Sequence, residues 1–520
     1  MPQPRLAVAL ALVSVVLVLL PAAATCATSS SPFLVVRASN GGSPFQGDSP
    51  TLVTVSPNGD HFRDTVTIHY WLSAPAYVRL DSARHGTVGR RLRADLGRTS
   101  AGAHVYWWTP PARPAPASYA LRLQASLATA TVVVHVQGVD IGAARAAYRP
   151  GDTARLSVRT DARHLTVDVL GITDAAPTTR RNDKVQGMPA GPAFRVGWDR
   201  RGDHAYPLNV PLGHWSSGVY FVRVRADDGR VGFTPIVLRP RTLGTARVAI
   251  VMPTYTWQAY NFYDCDGDGR GDTWYAGWRR HSTRMGRPYL SRGVPAHFNT
   301  YDLPFLRWVA RHRLRADFLS DADLASIGSG DTLARLYDLV VFPGHHEYVT
   351  QSEYDVVQRY RDLGGNLAWL SANNFFWKVV RRGPMLERVA QWRTLGRPEA
   401  ALIGAQYRGN DEGQRRAPMV VTQSPAEGWL FAGTDLGIGD TFGMFGIEID
   451  ARAPSSPSST VTVARATNLF DNGLAAEMTY YEQPNGAKVF AAGAFTLAGL
   501  ADSHVGAKIL ENLFAHLSVP

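Results

Sequence analysis

The chain is 520 residues long and 45% apolar, enough for about three domains with sizeable cores. Its formal charge of +11 is almost all arginine, since lysine occurs only at Lys184, Lys378, Lys488 and Lys508. No dense Lys/Arg block with interleaved aromatics is present, so the pattern argues against nucleic-acid binding and leaves a spread arginine surface with at most weak attraction to acidic cell-surface polymers.

Arg5 precedes the fifteen-residue apolar run 6–20, which Pro21 and Ala22-Ala23-Ala24 follow. This is the layout of a secretory signal, too short for a comfortable membrane span, and residues 1–27 are expected to be removed. Cleavage is expected after Ala24 or Ala27. Cys26 offers a lipidation site, although Thr25 is a poor residue before a lipidated cysteine. The expected product is secreted or extracellular, soluble or tethered at the cell surface by its amino end. Cys26 and Cys265 are the only cysteines. The fold must therefore be held by its cores, and thiolate metal clusters are excluded.

Residues 28–50 are Ser/Gly/Pro-rich and read as a linker with a lead-in strand. From Thr51 the pattern becomes all-β. Thr65-Val66-Thr67-Ile68-His69-Tyr70-Trp71-Leu72 alternates with period two, and short runs follow at 77–80, 104–108, 119–123 and 132–136, each set off by turn residues. This block, 51–140, resembles the immunoglobulin-like repeat of flagellar hook-cap and other bacterial surface proteins. The resemblance rests on Ser56-Pro57-Asn58-Gly59-Asp60 through Asp64, Gly102-Ala103-His104 and Ser118-Tyr119-Ala120-Leu121. A second β block, 141–241, repeats the pattern at 154–158, 165–170, 194–198, 205–210, 219–224 and 231–237. Two tandem sandwiches acting as spacers or packing partners are expected.

After Pro240 strands and helices alternate, so 242–520 reads as one α/β domain. Val248-Ala249-Ile250-Val251 is its first buried strand. Leu339-Val340-Val341-Phe342 is a second, and 352–363 has helical spacing with Val356, Val357, Tyr360 and Leu363 on one face before Gly364-Gly365. A third strand covers 366–370. Parallel sheets of this kind hold ligands beyond the carboxyl ends of their strands. That edge receives Tyr255, Gln258 and Tyr260 from the first strand, His345, His346, Glu347 and Tyr348 from the second, and Ser371, Asn373 and Asn374 from the third. Packing is the competing reading for the aromatics. The loop 260–297 is long enough to be functional or disordered.

Several ordered motifs in this region resemble the N,N-dimethylformamidase large (beta) subunit and its secreted relatives. They are PTYTWQAYN (253–261), YDLPFLRWV (301–309), DFLSDADL (317–324), PGHHEYV (343–349), LSANNFFWKV (370–379) and GDTFGMFGIEID (439–450). HWSSGVYFVRVRADDGRVGFTPIVLRP (214–240) resembles the β domain preceding the catalytic domain there. The resemblance implies a class I glutamine-amidotransferase-like (flavodoxin-like) α/β domain after the two all-β Ig-like sandwiches. Glutaminase chemistry on that fold needs a cysteine nucleophile, and Ser371-Ala372-Asn373-Asn374 has none, so that activity is excluded.

The family implies instead one ferric ion held by two tyrosines and a glutamate, whose hard oxygens suit the ion. Carried over, the glutamate is Glu347 and the first tyrosine Tyr260. The second tyrosine is placed at Tyr275, with Tyr289 as the alternative. His345 is the implied general base or water-orienting group, and Asn373 or Asn374 the implied ligand of the substrate carbonyl.

Where relatives carry a Gly-rich stretch, this chain has Asp264-Cys265-Asp266-Gly267-Asp268-Gly269-Arg270-Gly271-Asp272. Asp264, Asp266, Asp268 and Asp272 match the start of an EF-hand-type calcium loop, with Tyr275 where the closing glutamate would stand. An acidic solvated turn is the alternative, and a calcium loop here raises the prospect that the iron site has been lost. The echo at 58–64 is weaker. Glu448 and Asp450 lie on an alternating strand, solvated or at the sheet edge. His504 and His516 read as surface or capping groups of the terminal helix, Asp321 and Asp323 as helix-start or turn residues.

The expectation is a secreted metal-dependent amidase-like hydrolase of a C–N bond in a small-molecule or envelope-derived substrate. Dimethylformamide itself is a poor match. One rival is a non-catalytic secreted protein whose crevice, rich in Trp257, Trp274, Trp278, Phe375, Phe376 and Trp377, holds a carbohydrate or other ligand. The other is a surface protein whose sandwiches do the work.

Overall fold

The computed structural model describes residues 34–42, 48–55, 63–84, 92–110, 117–136, 138–176, 184–198, 205–227, 229–263, 272–276, 281–423 and 426–518. The expected signal segment 1–27, both cysteines, Trp278 and Asp264, Asp266 and Asp268 lie outside them.

Alternation builds the first sandwich. Val66, Ile68, Tyr70 and Leu72 of the Val66–Leu72 strand are buried while the residues between them are not. That strand pairs with Leu34–Ser39 and Gly102–Trp108 in a three-stranded antiparallel sheet. A five-stranded sheet faces it, in the order Leu52–Val55, Ala128–Val136, Ala117–Ala125, Ala76–Arg84, Leu92–Thr99. Ile68, Leu72, Leu80, Leu121, Leu123 and Val134 share the core between them.

The second sandwich has one sheet buried on both faces. Val222, Val224, Ile236 and Leu238 point into its own core against Leu156, Val158 and Val210. Val219, Phe221, Phe233 and Val237, on the opposite face, join the core of the C-terminal region. Phe221 meets Phe298 edge-on at 5.0 Å. Two buried faces explain why Val231–Leu238 is an almost unbroken apolar run.

The C-terminal region is organised by a mixed sheet. Asp317–Ser320, Val248–Met252, Leu339–Phe342, Asn366–Trp369 and Lys488–Ala491 are parallel neighbours in that order. From Lys488–Ala491 the sheet continues antiparallel through Ala476–Glu482, Val461–Ala466, Arg416–Val421, Thr441–Ala451 and Gln406–Asn410. Helices cover both faces of the parallel part. Ile250 and Met252 pack with Leu306, Trp308, Leu510 and Phe514, whereas Ala249 and Val251 pack with Leu324, Leu333, Val356 and Tyr360.

The helix expected at 352–363 runs Gln351–Asp362. It opens with a capping box in which the Thr350 hydroxyl accepts from the Glu353 N–H and Glu353 accepts from the Thr350 N–H. It stops at Gly364, whose φ of 96° is costly for any residue with a Cβ.

One topological fact positions the site. From Val248–Met252 the chain passes to Asp317–Ser320 on one side, then returns to Leu339–Phe342 on the other. Strand order therefore reverses at Val248–Met252, and the loops leaving the two neighbouring strands part there, opening a crevice.

Candidate active site

Three strand ends supply the site. After Met252 the chain enters the short helix Thr254–Ala259, whose six residues are all buried, and Tyr260 closes it. After Phe342 comes Pro343-Gly344-His345-His346-Glu347. Gly344 is needed for fit: a Cβ there would lie 2.8 Å from Asp302 Oδ1 and 2.8 Å from Pro253 Cγ. After Trp369 the loop through Asn373 and Phe375, with φ of 52° and 55°, hydrogen-bonds to the His345–Glu347 loop. Phe375 N–H donates to His346 O at 2.7 Å, Trp377 N–H to Glu347 O at 2.9 Å, and His346 N–H to Asn374 Oδ1 at 3.0 Å. Non-glycine residues at positive φ cost energy and persist only where the surroundings hold them. Here they turn one loop so that it braces the other.

On this frame Tyr260 Oη lies 2.8 Å and Tyr275 Oη 3.0 Å from the same oxygen, Glu347 Oε2. The two rings stack at 4.5 Å. Tyr275 Oη also hydrogen-bonds Tyr348 Oη, which accepts from Trp274 Nε1 at 3.1 Å. Three phenols and a carboxylate thus form one oxygen cluster. Glu347 is 3% exposed. Tyr275 leaves 37% of its surface exposed while its hydroxyl end turns inward.

His345 completes the cluster. Its Nε2 lies 3.6 Å from Glu347 Oε2 and 3.1 Å from Glu448 Oε2. Burial favours the neutral ring, but Glu448 and Glu347 outweigh it and hold the imidazole pKa above its ordinary value. Burial pushes Glu347 up to about 7, with His345 pulling the other way. Tyr260, Tyr275 and Tyr348 are all driven upward by burial first and then by the Glu347 charge. The phenols therefore keep their protons unless a cation stands beside them.

Other expected residues fall elsewhere. Tyr289 sits by Gln258 and Arg287, not at Glu347. Gln258 donates to Arg287 O at 3.1 Å, and Tyr255 is buried with its N–H on Asp321 Oδ2 at 2.7 Å. His346 is a core residue, edge-on to Phe342 at 5.0 Å and pulled down to about 3 by burial. Asn374 Oδ1 is taken by the His346 N–H. Asn374 Nδ2 and Asn373 Oδ1 are buried without a partner among the described residues. Of the aromatics, Phe375 is fully buried and Trp274 and Phe376 nearly so. Among the described members of this set, Trp257 borders the cleft beside the cluster and the others do not. Asp272 is 8% exposed, its N–H on Tyr263 O and its carbonyl accepting from Thr283.

Glu448 and Asp450, which alternation would allow to be solvated, are 4% and 2% exposed. Asp450 receives the Asn373 N–H at 2.8 and 3.0 Å and is pushed up to about 8 by burial. Tyr348 carried no separate sequence signal beyond lying next to Glu347.

Among the described residues no group of three or more His, Cys, Asp and Glu side chains is fitted to a metal ion. The candidate donor set is of another kind, two phenols and one carboxylate. Both phenol oxygens lie within hydrogen-bond distance of one carboxylate oxygen, Glu347 Oε2, and hard oxygen donors are the kind that suit a small hard cation. Alongside lies a cleft of about 530 Å³, bordered by Tyr260, His345, Glu448 and Asp302. No described helix is long and apolar enough to cross a membrane.

The family described as N,N-dimethylformamidase beta subunit-like, C-terminal, matches residues 178–505. Curated relatives include the N,N-dimethylformamidase beta subunits of Paracoccus aminophilus, 25% identical over 220 residues, and of an Alcaligenes species, 26% identical over 220 residues. Each alignment covers 35% of this chain and 28% of the relative, so the chain spans little more than a quarter of the length of these relatives. Among solved structures it is similar to the Yersinia pseudotuberculosis adhesin InvE, 12% identical over 40% of this chain and 58% of that one. The TM-score there is 0.15, too low to carry an argument.

Proposed function

The chain belongs to the N,N-dimethylformamidase beta subunit-like family, and from that premise we propose that it is a metal-dependent hydrolase of amide C–N bonds. The observation that carries the proposal is the meeting of Tyr260, Tyr275 and Glu347 oxygens at 2.8 and 3.0 Å. Buried phenols with raised pKa values are poor isolated acids but good ligands once a trivalent ion offsets their charge, and ferric iron is the ion this donor set favours. Bound there, iron would supply a Lewis acid that polarises the amide carbonyl and acidifies water.

The chain's own groups do the rest. His345 Nε2 takes the proton of the attacking water and returns it to the departing nitrogen, so the C–N bond breaks to a carboxylic acid and an amine. Glu448, 3.1 Å away, stabilises the protonated imidazole. Asn374 holds the His346 backbone and with it the loop carrying Glu347.

We read the parallel half of the C-terminal sheet as the class I glutamine-amidotransferase-like α/β fold, on the strength of its strand order and of a site at the point of reversal. Residues 1–27 support export of the mature enzyme. Calcium at Asp264, Asp266, Asp268 and Asp272 would steady the loop that leads to Tyr275.

The test is amine release from a panel of simple and N-substituted amides, by wild type and by Glu347→Gln. The proposal expects turnover that the variant loses while remaining folded. The competing reading, a non-catalytic ligand- or carbohydrate-binding protein, draws on the cleft of about 530 Å³. Absence of turnover on every amide would select it.

A further inference from the structure

The cleft beside the cluster is larger than a minimal formamide requires. Its volume of about 530 Å³ falls in the range of pockets that enclose ligands of many heavy atoms. Its lining combines Tyr260, His345, Glu448 and Asp302 with the apolar Met444, Ile447, Phe495 and Leu500, Phe495 lying edge-on to the His345 ring at 4.7 Å. Titratable groups and apolar side chains lining one cleft call for a substrate with an apolar body.

The wall is shaped deliberately. Ile447 has a φ of 68°, a conformation that a β-branched residue adopts only when the surrounding structure imposes it. It marks the point where Thr441–Ala451 shifts register against Ala494–Phe495, between Gly446 and Ile449. The Asp411 N–H, 3.1 Å from Ile447 O, secures it. Next to Ile447, a Cβ on Gly446 would lie 2.4 Å from Arg415 O and 3.1 Å from Arg416 Cγ, so the two strands approach closely there.

Arg416 borders the same cleft and is exposed. Among the described residues it makes no hydrogen bond or ion pair, whereas its neighbour Arg415 is paired with Asp471 at 2.5 Å. Glu412 also lines the cleft, and among the described residues no ion pair joins it to Arg416. Arg416 stands opposite Gly446, two residues before Glu448 in the chain. Arg416 and Glu448 thus border one cleft from neighbouring strands. Within the cleft Asp302 Oδ1 is buried without a partner among the described residues, while Oδ2 accepts from Trp257 Nε1 at 3.3 Å. It offers a hydrogen-bonding site to an amide N–H.

We propose that the cleft takes N-acyl amino acids with apolar side chains: the scissile amide lies at His345 and Glu448, the apolar side chain against Met444, Ile447, Phe495 and Leu500, and the free carboxylate on Arg416. The assignment rests on the amide-hydrolase reading of the site. Water adds across the C–N bond, and the products are a carboxylic acid and the free amino acid.

The test compares N-acetyl-leucine with its neutral carboxamide, N-acetyl-leucinamide, on the full-length purified protein. Binding is read by calorimetry, and turnover by amine release in the same preparation. The carboxylate should bind about tenfold more tightly than the carboxamide, an advantage that falls with added salt. Arg416→Gln should abolish the difference while leaving binding of the carboxamide unchanged. Equal binding of the two ligands by wild type, binding of neither, or a preference that survives in Arg416→Gln would overturn the assignment. Selective binding without turnover would leave it standing and sink the hydrolase reading. Turnover of both ligands at equal kcat/KM would do the reverse.

Discussion

Tyr260 Oη and Glu347 Oε2 lie 2.8 Å apart although 87 residues separate them in the chain. The pairing follows from the reversal of strand order: the helix after Val248–Met252 and the loop after Leu339–Phe342 open on the same crevice. Tyr275 arrives from a third direction and shares the same carboxylate oxygen.

The Glu448–His345 contact should control the pH dependence of turnover. Glu448 is the strongest influence raising the imidazole pKa. A base must be neutral to accept a proton, so the acid limb of the kcat/KM profile follows that pKa. Glu448→Gln should move the limb to lower pH by about one unit. A profile that keeps its position would remove His345 from the base role.

A pair of buried carboxyls away from the site should make stability depend on pH. Asp321 is pushed from 3.8 up to about 7 by burial, and Glu353 is raised well above 4.5 by burial and by Asp321. Raised acid pKa values mean that the folded chain keeps protons the unfolded chain releases. The stabilisation is therefore complete below about pH 4 and fades as pH rises through about 7. Glu353→Gln keeps an acceptor for the Thr350 N–H while removing one ionisable group. Its Tm should fall a few degrees less than wild type between about pH 5 and pH 8. Parallel Tm curves for the two proteins would contradict this.

Much of this architecture can be read from the residues. The apolar runs at Val248 and Leu339, the Val356–Val357–Tyr360 stripe and Gly364 predict the strand–helix–strand unit, and period two predicts the Val66–Leu72 strand. Motif resemblance brings Tyr260, Tyr275 and Glu347 together. Glu448 is harder to read because Thr441–Ala451 breaks its own period: the distortion at Ile447 leaves Glu448, Ile449, Asp450 and Ala451 buried in succession. Alternation cannot reveal a bulge. Nor could local pattern show that Asp450 would receive the Asn373 N–H, since that contact spans 77 residues.

Gly344 should tolerate no side chain. The Cβ of Gly344→Ala would press on Asp302 Oδ1 and on the Pro253 ring, each at 2.8 Å. Relief requires the His345–Glu347 loop to move. A loss of about 1–3 kcal/mol in urea unfolding is expected, with weakened activity. An unchanged midpoint with full activity would show that the loop has slack the geometry does not suggest.

The central claim is that two phenols and a carboxylate hold one hard cation, and the most direct measurement is iron content together with the visible spectrum of the purified full-length protein. The account predicts about one iron per chain and a broad tyrosinate-to-iron absorption band, both lost in Tyr260→Phe and in Glu347→Gln while circular dichroism stays that of the wild type. A colourless, iron-free wild-type protein that takes up no ferric ion, or a band that persists in both variants, would contradict it.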